Sequence, residues 1–248
     1  MSLVLKPEIE PNHASMLTLI TAMAVAGGIE KTTGLECKIK WPNDIVIHGK
    51  KVCGILTEMS TQMDYINYIV IGIGINVQNE AFPEEIGEVA TSLRIESGKK
   101  QNRAAIIEAV WEEFETYYDI YLKTEDMQGL VGEYNRKLAN MNQQVRVLDP
   151  KDPYEGTARG ITSKGELIVD TWEARKLVSS GEVSVRGLYG YVRTETPEHM
   201  VSKIPALRLL SNTDLDTAEA LCAGYRVTTI LGNYSVIYLY CFKIVQKI

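Results

Sequence analysis

The chain has 248 residues, of which 45% are hydrophobic and 23% charged, so it has the material for one large or two ordinary globular domains. Its formal net charge of −6 argues against a surface that coats nucleic acid, and no nucleic-acid partner is expected. Scattered Cys37, Cys53, Cys222 and Cys241 exclude a Cys-x-x-Cys site and read as reduced thiols, no signal peptide or apolar run of spanning length is visible, and a cytoplasmic protein without a membrane partner is expected.

Taken in order, residues 2–6 read as a short strand and 7–11 as a loop. Asn12 is expected to cap a helix running to about Thr33, with Gly34 as its stop. Met16, Leu19, Ile20, Met23 and Ala26 give this helix an apolar face, widened by Leu17, Val25 and Ile29.

Residues 38–76 hold the chemistry. Pro42 biases Trp41 away from the helical region, so Lys40-Trp41-Pro42 reads as extended backbone ending a strand. Asn43 and Asp44 then fall at a strand edge or turn. His48-Gly49 reads as a hairpin turn that returns Lys51 beside the Asn43-Asp44 end. Lysine suits phosphate or carboxylate oxygens, and a lone aspartate suits magnesium, which takes one or two carboxylates plus phosphate oxygens. Taken alone, Lys40 to Asp44 also reads as a strand and an Asx turn with an anchoring Trp, and Lys51 as a solvated turn lysine.

The strand 68–76 places Val70, Gly72, Gly74 and Asn76 on one face and Ile71, Ile73 and Ile75 on the other. The isoleucine face is a core stripe. The glycine face marks either close packing against another element or close approach of a ligand. No third glycine or helix start follows, so this is not a dinucleotide fingerprint.

Residues 77–100 read largely as loop. Asn102 is expected to cap a helix to about Leu122, with Ile106, Ile107, Val110, Trp111, Phe114, Tyr117, Tyr118 and Tyr121 as its packing stripe. A second helix follows Gly129 and ends near Leu138. From Gln143 short strands are expected at 144–148, 154–158, 166–169, 175–178 and 182–186, with turns at Asp149-Pro150 and 163–165, together a small barrel. Beyond 193 come a short helix from Thr213 or Asp214 to Cys222 and a hairpin, 225–231 and 234–242, around Gly232-Asn233. Its second strand is apolar and needs a partner surface.

Three motifs stand in a fixed order: Lys40-Trp41-Pro42-Asn43-Asp44, the run Lys51 to Glu58 (Lys-Val-x-Gly-Ile-Leu-x-Glu), and Ile71-Gly72-Ile73-Gly74-Ile75-Asn76. In this order and spacing they closely resemble the biotin–protein ligases, and the resemblance covers about residues 1–192, including Ala90-Thr91-Ser92-Leu93. It implies an α+β fold, a mixed β-sheet with helices over residues 1–140, then an SH3-like β-barrel over 141–192. Residues 193–248 form an extension outside it.

The resemblance further implies joining of biotin to ATP as biotinyl-AMP and transfer of biotin to a lysine of a carboxylase's biotin carboxyl carrier domain. Lys51 would contact the biotin carboxyl and the adenylate linkage, and Lys40 the ATP phosphates. Asn43 would sit by the phosphates and Asp44 by Mg2+. Gly54, Leu56, Gly72, Gly74 and Ile75 would form the biotin wall. Asn76 would lie near the nucleotide, with Glu182 and Arg186 helping to close over it, although these two also read as an edge-strand charge pair. The family's Gly/Arg-rich loop and Ser/Thr-Thr-Asn biotin contact do not occur in this sequence, which implies impaired retention of the adenylate. Its helix-turn-helix is also absent, so no repressor role is expected. Family members often pair through the central sheet, which admits a homodimer. The alternatives are a non-catalytic remnant that binds the carrier or a partner, and a lipoate ligase-like enzyme.

Overall fold

In a computed structural model, residues 1–62, 65–149 and 152–180 are described, together with the backbone of strands at 184–187, 226–231 and 234–239. Strand β1 (Ser2–Leu5) leads through a 3-10 turn (Pro11–His13) into α1 (Met16–Thr33). Asn12 lies in that turn, so the helix starts three residues later than the Asn12 cap implied. Its end is as expected: Gly34 adopts φ 73° and its N–H closes onto the Glu30 carbonyl.

Strands β2 (Lys38–Lys40), β3 (Asp44–Ile47), β4 (Lys50–Gln62) and β5 (Tyr65–Ile75) follow. Next come α2 (Leu93–Ser97), inside the segment expected as loop, and α3 (Arg103–Thr124), capped by the Asn102 side chain on the N–H groups of Ala104 and Ala105. Helix α4 (Val131–Lys137) closes the first part of the chain.

The first sheet runs β4-β3-β2 on one side of β5 and continues through β1 on the other. It was expected to be mixed, yet every ladder among the described residues is antiparallel, and the two parallel contacts are isolated bridges, Ile39 to Leu138 and Lys51 to Ala90. Between β2, β3 and β4 tight turns explain this, because a parallel neighbour needs a long crossover. His48 and Gly49, for instance, both take positive φ between β3 and β4.

The sheet is one-sided. Leu3, Leu5, Ile39, Ile45, Cys53, Ile55, Ile69, Ile71 and Ile73 are buried in one core with α1 and α3. Their alternates Lys40, Asp44, Gly54, Leu56, Val70, Gly72 and Gly74 all keep solvent exposure. Helix α1 is buried on nearly all sides, between this sheet and the aromatic stripe of α3. That explains why Pro11–Thr33 is long and apolar enough to cross a membrane by length and composition, contrary to the expectation of no such run: a core helix needs no polar face.

The two helices touch at Gly28, where a Cβ would lie 2.6 Å from Val110 Cγ2 and 2.7 Å from its backbone nitrogen. Gly28→Ala is therefore expected to destabilise the fold, because overpacking of about 1–3 kcal/mol outweighs the roughly 0.5–1 kcal/mol that alanine gains in a helix. A lower urea midpoint at unchanged m-value would show it.

Strands β6 (Gln144–Leu148), β7 (Tyr154–Ile161), β8 (Leu167–Asp170), β9 (Arg175–Val178) and β10 (Ser184–Gly187) form a second antiparallel sheet in the order β10-β6-β7-β8-β9. No β9–β10 pairing is among the described contacts. Trp41 docks this sheet on the first: it is 1% exposed, and its indole N–H donates to the Gly165 carbonyl at 3.1 Å.

Two further strands, β11 (Arg226–Leu231) and β12 (Tyr234–Leu239), form the expected hairpin, and β12 pairs antiparallel with β1. The apolar strand thus finds its partner at the edge of the first sheet. The helix expected at 213–222 lies outside the described residues.

Candidate active site

The open face of the first sheet gathers most of the residues singled out in the sequence. Register pairs Lys40 with Asp44, Asp44 with Gly54, and Gly54 with Gly74, one row across four strands. At about 4.8 Å per strand this row is roughly 14 Å long. A second row holds Leu56, Gly72 and Ser2.

The glycines form the floor. A Cβ on Gly72 would find nothing nearer than the Leu56 carbonyl at 3.7 Å, and one on Gly74 nothing nearer than the Gly54 carbonyl at 3.8 Å. The missing side chains therefore leave open space above the strands. Of the two readings of the glycine face, close packing is excluded and room for a ligand is retained. Leu56, 49% exposed, is the apolar wall of this shelf.

Lys51 reaches the shelf through a bulge. Ile45 pairs with Cys53 but Val46 with Lys51, so Val52 is an extra residue on β4. Without it, Lys51 would share the core face with Cys53 and Ile55. With it, the ammonium lies 2.7 Å from Asp44 Oδ1 and 3.0 Å from the place of a Gly54 Cβ. Gly54 is what lets the charge sit over the floor.

The bulge is held from outside the sheet. The Lys51 N–H donates to the Val89 carbonyl at 2.8 Å, and the Lys51 carbonyl accepts from the Thr91 N–H at 2.9 Å. Asn76 closes the same corner: its backbone N–H donates to the Val52 carbonyl and its side-chain amide to the Thr91 carbonyl at 3.1 Å.

Not every residue singled out in the sequence lies on this open face. The Asn43 side-chain amide donates to the Ile55 carbonyl at 2.9 Å while the Asn43 backbone carbonyl accepts from the Ile55 N–H, so this residue lengthens the β3–β4 ladder. Ile75 pairs with Cys53 on the opposite side of the strand and packs against the core. Arg186 lies in β10 opposite Arg146, and Glu182 lies outside the described residues. Burial pushes the Cys53 thiol up to about 12, so it supplies no thiolate at neutral pH.

Thr91 and Ser92 entered the sequence reading only inside the Ala90-Thr91-Ser92-Leu93 stretch, with no role, and Glu96 escaped it. Thr91 and Ser92 are 1% and 0% exposed, and Ser92 caps α2 on the Ile95 N–H. The faint signal was a Ser-x-x-x-Glu start inside an apparent loop.

An open glycine floor with one ammonium held over it and a second lysine further along the row suits an acid linked to a phosphate. Comparison with known proteins agrees with this class. Residues 1–76 match the biotin/lipoate A/B protein ligase family and residues 141–186 the biotin protein ligase C-terminal domain. The chain is 38% identical over 187 residues to the bifunctional ligase/repressor BirA of Bacillus spizizenii, covering 75% of this chain and 57% of that protein. It is 30% identical over 171 residues to the biotin–[acetyl-CoA-carboxylase] ligase of Mycobacterium tuberculosis, covering 67% of this chain and 61% of that one. The solved biotin protein ligase from Aquifex aeolicus in complex with biotin and ATP superposes with a TM-score of 0.65 at 28% identity, covering 75% of this chain and 78% of that one.

The fold and the shelf thus define a protein of the biotin/lipoate ligase class. The chain belongs to the biotin protein ligase family. It spans 57–61% of the length of these two curated relatives. The first of them is named a repressor as well as a ligase.

Proposed function

We propose that this chain carries the active site of a biotin–protein ligase. The carboxylate of biotin attacks the α-phosphorus of ATP, forming biotinyl-AMP and releasing pyrophosphate. A lysine amine of a carboxylase's biotin carboxyl carrier domain then attacks the acyl carbon, forming an amide and releasing AMP. The observation that carries this reading is the Lys51 ammonium held over the paired glycines Gly54 and Gly74.

Lys51 stabilises negative charge as the acyl-phosphate bond forms and later as it breaks. Lys40, at the end of the same row, meets the phosphates. Leu56 and the floor at Gly54, Gly72 and Gly74 take the apolar part of biotin, and Ile75 supports that floor from below. Asn76 lies at the nucleotide end; a closing role for Glu182 and Arg186 rests on the family resemblance alone.

Asp44 offers one carboxylate, and no group of three metal-ligating side chains occurs among the described residues. That donor set fits Mg2+ bound mainly by nucleotide phosphates. Asp44 would hold the ion, which supplies screening of the triphosphate charge against the attacking carboxylate. The second sheet, as an SH3-like barrel, and pairing of two copies through the first sheet belong to the same proposal.

The decisive assay is exchange of labelled pyrophosphate into ATP, with biotin or with lipoate. Exchange with biotin alone is expected. Exchange with lipoate alone would assign a lipoate ligase. Carrier binding without exchange would assign a non-catalytic partner.

A further inference from the structure

We propose that Thr91 and Glu96 are positioning residues for the active site, a clasp that holds the Lys51 bulge and Asn76 in one geometry. The inference rests on the ligase reading above. A bulge is a weak point in a ladder, because its extra residue has no cross-strand partner. Here both backbone groups of Lys51 bond to the 89–91 segment. That segment also receives the Asn76 side chain, at the Thr91 carbonyl. One residue, Thr91, therefore touches both site residues through its main chain.

Its hydroxyl fixes the segment. Thr91 Oγ1 donates to Glu96 Oε1 at 2.5 Å, with Thr91 buried and the Glu96 side chain 12% exposed. The other oxygen, Glu96 Oε2, lies 2.6 Å from His48 Nδ1, at the tip of the β3–β4 hairpin. Glu96 thus spans the strap and the hairpin that delivers Lys51. Burial works against ionisation of this carboxyl, but the Thr91 hydroxyl and His48 outweigh it and hold Glu96 below the usual carboxylate range. The charged acceptor strengthens both contacts.

The test uses Thr91→Val, which keeps the shape and removes the hydroxyl, Glu96→Ala, and Thr91→Ser as the conservative variant. Each is measured for pyrophosphate exchange, for melting, and for hydrogen exchange of the Lys51 amide. Thr91→Val and Glu96→Ala are expected to lower kcat by about 10–100-fold, as for a displaced catalytic group, with a smaller change in KM. The Lys51 amide should exchange about tenfold faster at temperatures where the variants are fully folded, a local opening of roughly 1.4 kcal/mol. Thr91→Ser should restore both readouts. Folded variants with unchanged kcat and an unchanged Lys51 amide would overturn the clasp. So would a loss of rate that only follows the unfolded fraction. If the wild-type protein shows no exchange with biotin, the ligase reading fails, and the Lys51 amide still reports whether the clasp holds the bulge.

Discussion

Lys51→Ala is expected to lower biotin-dependent pyrophosphate exchange by about 100–1000-fold, the loss typical of removing one preorganised donor at a site of developing charge. The ammonium is held at 2.7 Å by Asp44, itself only 15% exposed, so it does not have to be gathered from solvent when the substrate arrives. The loss should fall mainly on kcat. Lys51→Arg should not rescue it. A planar guanidinium is wider than an ammonium, and the space over Gly54 already brings Nζ within 3.0 Å of a would-be Cβ. Melting curves in parallel would separate this from unfolding caused by leaving Asp44 without its partner. A fully active, folded Lys51→Ala variant would remove this residue from the chemistry.

The second large effect has the opposite profile. Gly74→Val is expected to abolish ligand binding while leaving the fold as stable as before or more so. A valine there projects onto the open face, with its Cβ no nearer than 3.8 Å to another backbone, and a β-branched residue suits a strand by up to about 1 kcal/mol. The same side chain occupies the floor on which the proposed ligand would lie. A drop in biotin affinity of about 100-fold or more, roughly 3 kcal/mol, should appear in calorimetry with no fall in melting temperature. Lower stability with intact binding would mean that the glycine serves packing after all.

Much of this arrangement was legible in the sequence. Period-two alternation separated the isoleucine stripe from the glycine face, and His48-Gly49 announced the hairpin that returns Lys51. Asn102 and Gly34 marked helix ends through cap chemistry that depends on a single residue. The Val52 bulge was not legible. Strict alternation would have sent Lys51 into the core, and only the pairing with β3 and the strap at 89–91 reverses it. Asn43 was misleading in a related way: its residue type suits a phosphate, yet its amide completes a ladder to Ile55, a partner twelve residues away. The roles of Thr91 and Glu96 were not legible because the partners that define them, Lys51, Asn76 and His48, come from distant stretches of chain.

Placing the hydrophobic core on one side of the first sheet has a practical outcome. Positions such as Ser2, Val4, Leu56 and Val70 look away from that core and keep solvent exposure. Replacements at these positions forfeit little of what keeps the chain folded. On the proposed ligase reading, a combinatorial library built on them should return mostly folded proteins that differ in which small acid they prefer.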